Sequence, residues 1–98
     1  MKRHEAISLL SGKADVIRAL GVDALYLFGS TARDEARDES DVDLFFDYED
    51  SRVFTLVDLV TLRDAIADIL DHDADVIARN SLHSYLRPRI ESEAIKVF

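Results

Sequence analysis

The chain of 98 residues contains no Cys and carries 20 Asp and Glu against 12 Lys and Arg, a formal net charge of −8. This length predicts a single domain over residues 1–98, and the lack of Cys excludes disulfide scaffolds, thiolate metal sites and Cys nucleophiles. The composition fits a reducing, cytoplasmic setting, and no apolar run approaches the ~18 residues of a membrane span. The negative charge argues against direct binding to nucleic acid, whose phosphates it would repel.

The negative charge is concentrated in one short segment. Residues 34–50 hold nine carboxylates and a single base, Arg37, whereas acids and bases balance over the rest of the chain. A segment of this kind permits binding of divalent cations and docking on a basic partner.

The first half of the chain is predicted to contain two helices around one strand. Residues 3–20 place apolar side chains at helical spacing, and Gly21 is expected to end that helix. The run 24–28 is short, apolar and aromatic, which predicts a buried strand. Ser30 is a candidate N-cap for a short helix over 31–37.

The second strand is predicted from a strict alternation over residues 41–47. Val42, Leu44 and Phe46 should face one side of this strand, and Phe45 and the aspartates the other. A long amphipathic helix follows over 54–70. Its expected inner stripe consists of Leu56, Leu59, Val60, Ile66, Ile69 and Leu70.

The end of the chain is predicted to add a third strand and a last helix. Residues 73–78 have the composition of a strand, and Asn80 or Ser81 could cap the helix, with Pro88 in its first turn. The expected inner face of this helix consists of Leu86, Ile90 and Ala94. The resulting order, α-β-α-β-α-β-α, predicts a layered α/β fold with a small three-stranded sheet.

Two features of the pattern suggest phosphate and metal chemistry. Asp41 and Asp43 should lie about 6.5–7 Å apart on one strand face, and such a pair suits Mg²⁺, which often takes one or two carboxylates plus substrate phosphates. Gly29 and Ser30 lie between a strand and a helix, where backbone N–H groups and a hydroxyl can donate to a phosphate. Taken singly, the acidic pair also fits a solvated strand face, and Gly-Ser also fits an ordinary turn.

The combination is more specific than either feature alone. A further strand-borne carboxylate, Asp75, follows a helical crossover, so the chain holds a phosphate turn, a carboxylate pair and another acid. These are the parts of a phosphoryl- or nucleotidyl-transfer site.

The residues around this turn and strand carry a family resemblance. Gly29-Ser30-Thr31-Ala32-Arg33 and Ser40-Asp41-Val42-Asp43-Leu44 resemble the G-S-x-A-R and S-D-x-D-L motifs of minimal nucleotidyltransferases, the smallest members of the DNA polymerase beta-like superfamily. The order of helices and strands also matches, so the resemblance covers nearly the whole chain. It implies a mixed sheet with flanking helices, the polymerase beta-like nucleotidyltransferase core.

The resemblance also implies a role for each motif residue. Gly29 and Ser30 would bind the triphosphate of ATP, and Arg33 would steady the turn or contact phosphate, its alternative being an ion pair with the acidic segment. Asp41 and Asp43 would hold two Mg²⁺ ions. Asp75 would ligate the catalytic metal and help deprotonate the attacking hydroxyl.

Two further aspartates, Asp73 and Asp34, lie close to these motifs. Asp73 shares the predicted strand face of Asp75, but Asp75 is preferred because the apolar Val76 and Ile77 follow it, as they usually do in the family. Asp34 stands where many relatives have Gly directly after the motif arginine.

The acceptor of the nucleotide is expected to be another protein. Only about twenty residues follow Asp75, which is little with which to enclose an acceptor. The resemblance implies transfer of AMP from ATP to a tyrosine of a HEPN-type ribonuclease toxin, with the chain acting as its antitoxin. A non-catalytic antitoxin that neutralises by contact, and a nucleotidyltransferase for a small molecule, remain as alternatives. The Leu- and Ile-rich helices leave a homodimer open.

Overall fold

The computed structural model describes residues 1–98 and contains five helices and four strands. In chain order they are α1 (Arg3–Ser11), α2 (Ala14–Ala19), β1 (Val22–Phe28), α3 (Gly29–Ala32), β2 (Val42–Tyr48), α4 (Leu56–Leu70), β3 (Ala74–Ala78), α5 (Arg87–Glu93) and β4 (Ile95–Lys96). A 3₁₀ turn (Arg79–Ser81) follows β3. None of the helices combines the length and the apolar character that a membrane span requires.

The strands form one mixed sheet in the order β3-β2-β1-β4. β1 pairs antiparallel with β2 and β4, and β2 pairs parallel with β3. The α/β fold with a mixed sheet and flanking helices is therefore confirmed, but the prediction of three strands is wrong. β4 was missed because two residues are too few to show a strand periodicity, and only their pairing with Tyr26 and Leu27 defines them as a strand.

One face of the sheet is buried beneath α1, α2 and α4. Val42, Leu44 and Phe46 are fully buried in a common apolar cluster with residues of these helices, as the alternation in β2 predicts. Burial of this face on the helices supplies the main driving force for folding, since apolar area contributes about 25 cal/mol per Å² removed from water.

The opposite face of the sheet is covered much less. Tyr26 and Phe45 stack there with ring centroids 4.8 Å apart, and the guanidinium of Arg79 lies over both rings, 4.7 and 5.0 Å from their centroids. This contact explains why Phe45 is buried although it points away from the main core. The same open face carries Asp43 and Asp75.

The first predicted helix is in fact two. The helical pattern of residues 3–20 is interrupted after Ser11, and α2 begins at Ala14. Gly12 is the residue at which α1 ends, which fits its low helix propensity. Gly21 follows the end of α2 with φ +106°, so its expected role at the helix end is confirmed.

The short helix after β1 also differs from its prediction. α3 begins at Gly29 itself and ends at Ala32, so Ser30 lies inside the helix and is not its N-cap. It stops early because Asp34 has φ +59°, a left-handed conformation that cannot continue a right-handed helix.

The two later helices begin at other residues than predicted. α4 starts after Thr55, whose hydroxyl accepts from the backbone N–H of Asp58 while the Asp58 carboxylate accepts from the N–H of Thr55, a reciprocal capping box. α5 begins at Arg87, so Asn80 and Ser81 do not cap it. Pro88 lies in its first turn, as expected.

The predicted inner stripes of these helices need correction. Leu56 and Val60 of α4 are 75% and 39% exposed, and Leu62, which the stripe omitted, is fully buried. In α5 no residue is fully buried, Leu86 precedes the helix and is 46% exposed, and Ala94 lies just beyond the helix end.

Candidate active site

The sheet register brings the predicted turn and two of the predicted carboxylates together. Asp43 on β2 lies opposite Phe28 on one neighbouring strand and opposite Asp75 on the other. Gly29 follows Phe28 directly, so the turn, Asp43 and Asp75 are side by side on the open face of the sheet. Asp73 precedes β3, and its carbonyl accepts from the N–H of Val42.

Gly29 is in direct contact with the carboxylate of Asp43. Its φ of +74° is a conformation that favours glycine, and a Cβ atom at this position would strike that carboxylate, with the Asp43 Cγ only 3.1 Å away. The turn therefore requires glycine for two independent reasons. The absence of a side chain leaves the backbone of the turn directly beside the carboxylate.

The environment of Asp43 disfavours its charged form. The side chain is half-buried, and this burial raises the pKa of Asp43 above its ordinary value. The neighbouring carboxylates of Asp75 and Asp41 raise the pKa further, while the positive charge of Arg33 acts in the opposite direction. A bound cation would relieve both the repulsion and the loss of hydration.

The donor set around Asp43 fits a hard divalent cation held by few protein ligands. No group of three or more His, Asp or Glu side chains converges closely enough to bind a metal ion by itself. Asp41 is exposed and precedes β2, whereas Asp75 is exposed within the edge strand β3. Mg²⁺ commonly takes one or two carboxylates and completes its shell with water and substrate phosphates, so Asp43 with Asp75 suffices as a starting set.

Arg33 forms an ion pair with the acidic segment, which the sequence analysis gave as the alternative to phosphate contact. It also forms a second ion pair, with α5. Its Nε lies 3.2 Å from Glu35 of the acidic segment, and its Nη1 lies 3.5 Å from Glu93 of α5. A cavity of about 180 Å³ separates the Gly29 turn from α5. Its lining residues are Phe28, Gly29 and Arg33 on the side of the turn, and Leu86, Arg89, Ile90 and Glu93 on the side of α5.

The structure gives a local explanation for Asp34 directly after Arg33. Asp34 adopts φ +59°, which glycine reaches freely and which Asp and Asn tolerate better than most residues. Its carboxylate accepts from the backbone N–H of Arg3 at 3.0 Å, and this hydrogen bond lowers the pKa of Asp34. Asp34 thus connects the residues after α3 to the start of α1.

Sequence reasoning missed the polar contact that ties α5 to the open face. Arg79 donates from Nε and Nη2 to Asp47 at 2.7 and 2.9 Å, and from Nη1 to Glu91 at 2.6 Å. The hydrogen bonds to Asp47 raise the pKa of Arg79, and the bond from Arg79 lowers the pKa of Glu91. The only available clue was that Asp47 shares a strand face with Asp43, which does not identify its partner 32 residues away.

Comparison with known proteins shows the family of the chain. The Polymerase beta, Nucleotidyltransferase family model matches residues 14–98. The chain belongs to this family of nucleotidyltransferases, which confirms the resemblance in its sequence motifs.

Individual relatives are similar to this chain over most of its length. A Methanocaldococcus jannaschii protein provisionally named a protein adenylyltransferase is 36% identical over 77 residues, which cover 79% of this chain and 81% of that protein. A solved structure provisionally described as a minimal nucleotidyltransferase is 30% identical with a TM-score of 0.82, covering 97% of this chain and 95% of the other. The fold is also similar to a chain from the tri-AMPylated Shewanella oneidensis HEPN toxin in complex with MNT antitoxin, at 19% identity and a TM-score of 0.67 over 94% of this chain and 71% of the other.

Proposed function

We propose that this chain transfers AMP from ATP to a hydroxyl group of another protein in a Mg²⁺-dependent reaction. The observation that carries the proposal is the contact between the Gly29 turn and the Asp43 carboxylate, with Asp75 next to Asp43 on the adjacent strand. A phosphate turn and a carboxylate pair are thereby within reach of one substrate. Residues 1–98 are proposed to act as a single nucleotidyltransferase domain.

Each residue of the site has a proposed task. Asp43 and Asp75, together with Asp41, would hold Mg²⁺, which neutralises phosphate charge and makes a hydroxyl more acidic; the family resemblance implies two ions. The backbone at Gly29 and Ser30 binds the polyphosphate, because no side chain at Gly29 separates it from Asp43. Arg33 offsets part of the phosphate charge.

The transfer itself is a substitution at the α-phosphorus. The acceptor oxygen forms a bond to this phosphorus, the bond to the oxygen that bridges to the β-phosphate breaks, and pyrophosphate leaves. Asp75 is proposed to accept the proton of the acceptor hydroxyl. It suits this role because it is exposed on β3, the edge strand, where another protein can approach.

The proposed acceptor is a tyrosine of a HEPN-type toxin, with this chain as its antitoxin. The relative from M. jannaschii is provisionally named a protein adenylyltransferase, and the similarly folded MNT antitoxin was solved with a tri-AMPylated HEPN toxin. The acidic segment 34–50 would favour approach of a basic, RNA-cutting partner. Direct binding of nucleic acid is not part of the proposal, and the cytoplasm, where ATP and RNA are found, is its proposed location.

The test is transfer to the toxin partner. The purified chain is incubated with ATP, Mg²⁺ and the protein product of its neighbouring gene, and that protein is weighed by mass spectrometry. The wild type should add one or more AMP units, Asp43→Asn should add none, and Asp68→Asn, which alters an exposed carboxylate of α4, should behave as the wild type. No mass gain with the wild type under any metal condition would refute the transferase proposal.

The same variants decide between catalysis and simple contact. The three predicted carboxylates do not converge into a metal cluster of their own, which leaves a non-catalytic antitoxin as the second candidate. If Asp43→Asn binds the toxin but no longer neutralises it, catalysis is required. If Asp43→Asn neutralises it fully, the chain acts by contact.

A further inference from the structure

The cavity beside the Gly29 turn contains two arginines and one carboxylate. Arg33 enters it from the end of α3, and Arg89 and Glu93 enter it from α5. One oxygen of Glu93 lies 3.5 Å from Nη1 of Arg33, and the other lies 3.4 Å from Nε of Arg89. Glu93 therefore holds both arginines at once.

These ion pairs are easily exchanged. The side chains of Arg33, Arg89 and Glu93 are 44%, 76% and 36% exposed. Exposed pairs at such distances contribute little to stability, because water screens the attraction and ordering of two long side chains opposes it. A more highly charged anion can therefore take the place of Glu93 without a large loss of stability.

The carboxylates near the turn make positively charged side chains necessary for binding a triphosphate. Asp43 lies against the Gly29 backbone that a triphosphate would contact, Asp75 lies beside Asp43 on the next strand, and these carboxylates repel the triphosphate wherever a metal ion does not intervene. Arg33 and Arg89 are the arginines that line the cavity next to this turn. The apolar residues Phe28, Leu86 and Ile90 also line this cavity, so Arg33, Arg89 and Glu93 are the charged residues of its lining.

We propose that Arg33 and Arg89 together bind the polyphosphate tail of the nucleotide, and that Glu93 is an exchangeable counterion which occupies them until the substrate arrives. Arg33 also pairs with Glu35 at 3.2 Å, so it keeps one carboxylate partner when Glu93 is released. Arg89 pairs only with Glu93, so the phosphate would replace its single carboxylate partner. The inference rests on the proposed function only in placing the nucleotide at the Gly29 turn.

The proposal is tested with inorganic tripolyphosphate, which has the charge of the nucleotide tail but no base and no transferable AMP. Its affinity is measured by calorimetry at fixed Mg²⁺ for the wild type, Arg89→Gln and Glu93→Gln, with AMP-PNP in parallel. The control is Arg63→Gln on α4, where the exposed Arg63 meets only Asp64 at 3.8 Å. Thermal unfolding without ligand shows whether each variant is folded.

The two substitutions should act in opposite directions. Loss of a guanidinium–phosphate contact should make Arg89→Gln bind tripolyphosphate about tenfold more weakly, and loss of the competing carboxylate should make Glu93→Gln bind it about threefold more tightly. Arg63→Gln should match the wild type. Equal affinities for Arg89→Gln and Arg63→Gln, or weaker binding by Glu93→Gln, would overturn the proposal.

This result is independent of the transfer reaction. If the wild type never transfers AMP to a protein, the tripolyphosphate affinities of the variants still support or refute the arginine pair. If transfer occurs but Arg89→Gln binds tripolyphosphate as the wild type does, only the present inference fails.

Discussion

Gly29→Ala should damage both the stability of the fold and the site. The left-handed backbone at φ +74° costs a residue with a Cβ atom roughly 1–2 kcal/mol relative to glycine. For a domain of this size, such a loss lowers Tm by about 5–15 °C. The new methyl group must also displace the Asp43 carboxylate, because it would otherwise overlap with that group.

The displaced carboxylate makes the effect on function larger than the effect on stability. A shift of a catalytic group by about 1 Å can lower a rate by up to about 100-fold. AMP transfer by Gly29→Ala should therefore fall well below what its folded fraction accounts for. Transfer is measured at a temperature at which thermal unfolding shows the variant to be fully folded.

A matched control and a second background separate the two causes. Gly12→Ala places the same methyl group at φ −65°, an ordinary helical conformation, where it meets the backbone carbonyl of Ser8 at 3.2 Å, and it should change Tm less than Gly29→Ala does. In an Asp43→Ala background the contact with the carboxylate no longer exists and only the Cβ atom of residue 43 stays close, at 3.2 Å, so the Gly29→Ala penalty should shrink towards its backbone part. An equal penalty in both backgrounds would refute the steric argument, and no penalty in either would refute the backbone argument as well.

Further substitutions probe other contacts. Asp43→Asn should raise Tm in the absence of metal, and the increase should be larger at pH 7 than at pH 4. The reason is that the pKa of Asp43 is raised in the folded state, so wild-type stability falls as the pH rises through that pKa. Thermal melts at a series of pH values measure this difference. Thr55→Ala should cost about 1 kcal/mol of unfolding free energy in urea, and the difference from wild type should shrink below pH 4, since the lowered pKa of Asp58 stabilises only while that carboxylate is ionised. Thr31→Val should stabilise by roughly 1 kcal/mol in the same assay, because the buried Thr31 hydroxyl has no hydrogen-bond partner.

The strands near the site could be predicted because their side chains face two different environments. Val42, Leu44 and Phe46 alternate with Asp43, Phe45 and Asp47 because one side of β2 meets the helices and the other meets the site. The same alternation placed Asp43 on the open face. The register that brings Asp75 beside Asp43 could not be predicted from the sequence, because pairing between strands about thirty residues apart depends on the whole packed sheet.

The predicted helix boundaries were wrong where the backbone conformation of one residue, and not the apolar periodicity, determines the end of the helix. The apolar pattern of residues 3–20 continues through Gly12, although the helix does not. α3 stops because Asp34 adopts a positive φ. A glycine at this position would have predicted such a conformation, but an aspartate does not. The cavity between the Gly29 turn and α5 was also beyond prediction, since it depends on where α5 packs.

The acidic segment contains carboxylates with opposite roles on a single strand face. Asp43 and Asp47 both point to the open side of β2, and either alone would look like a cation ligand. Arg79 binds both oxygens of Asp47 and lies over Tyr26 and Phe45, so the charge of Asp47 is already neutralised within the fold. Asp43 has only other carboxylates and the more distant charge of Arg33 around it. The placement of one arginine after β3 therefore determines which of the two aspartates fastens α5 to the sheet and which remains available for a metal ion.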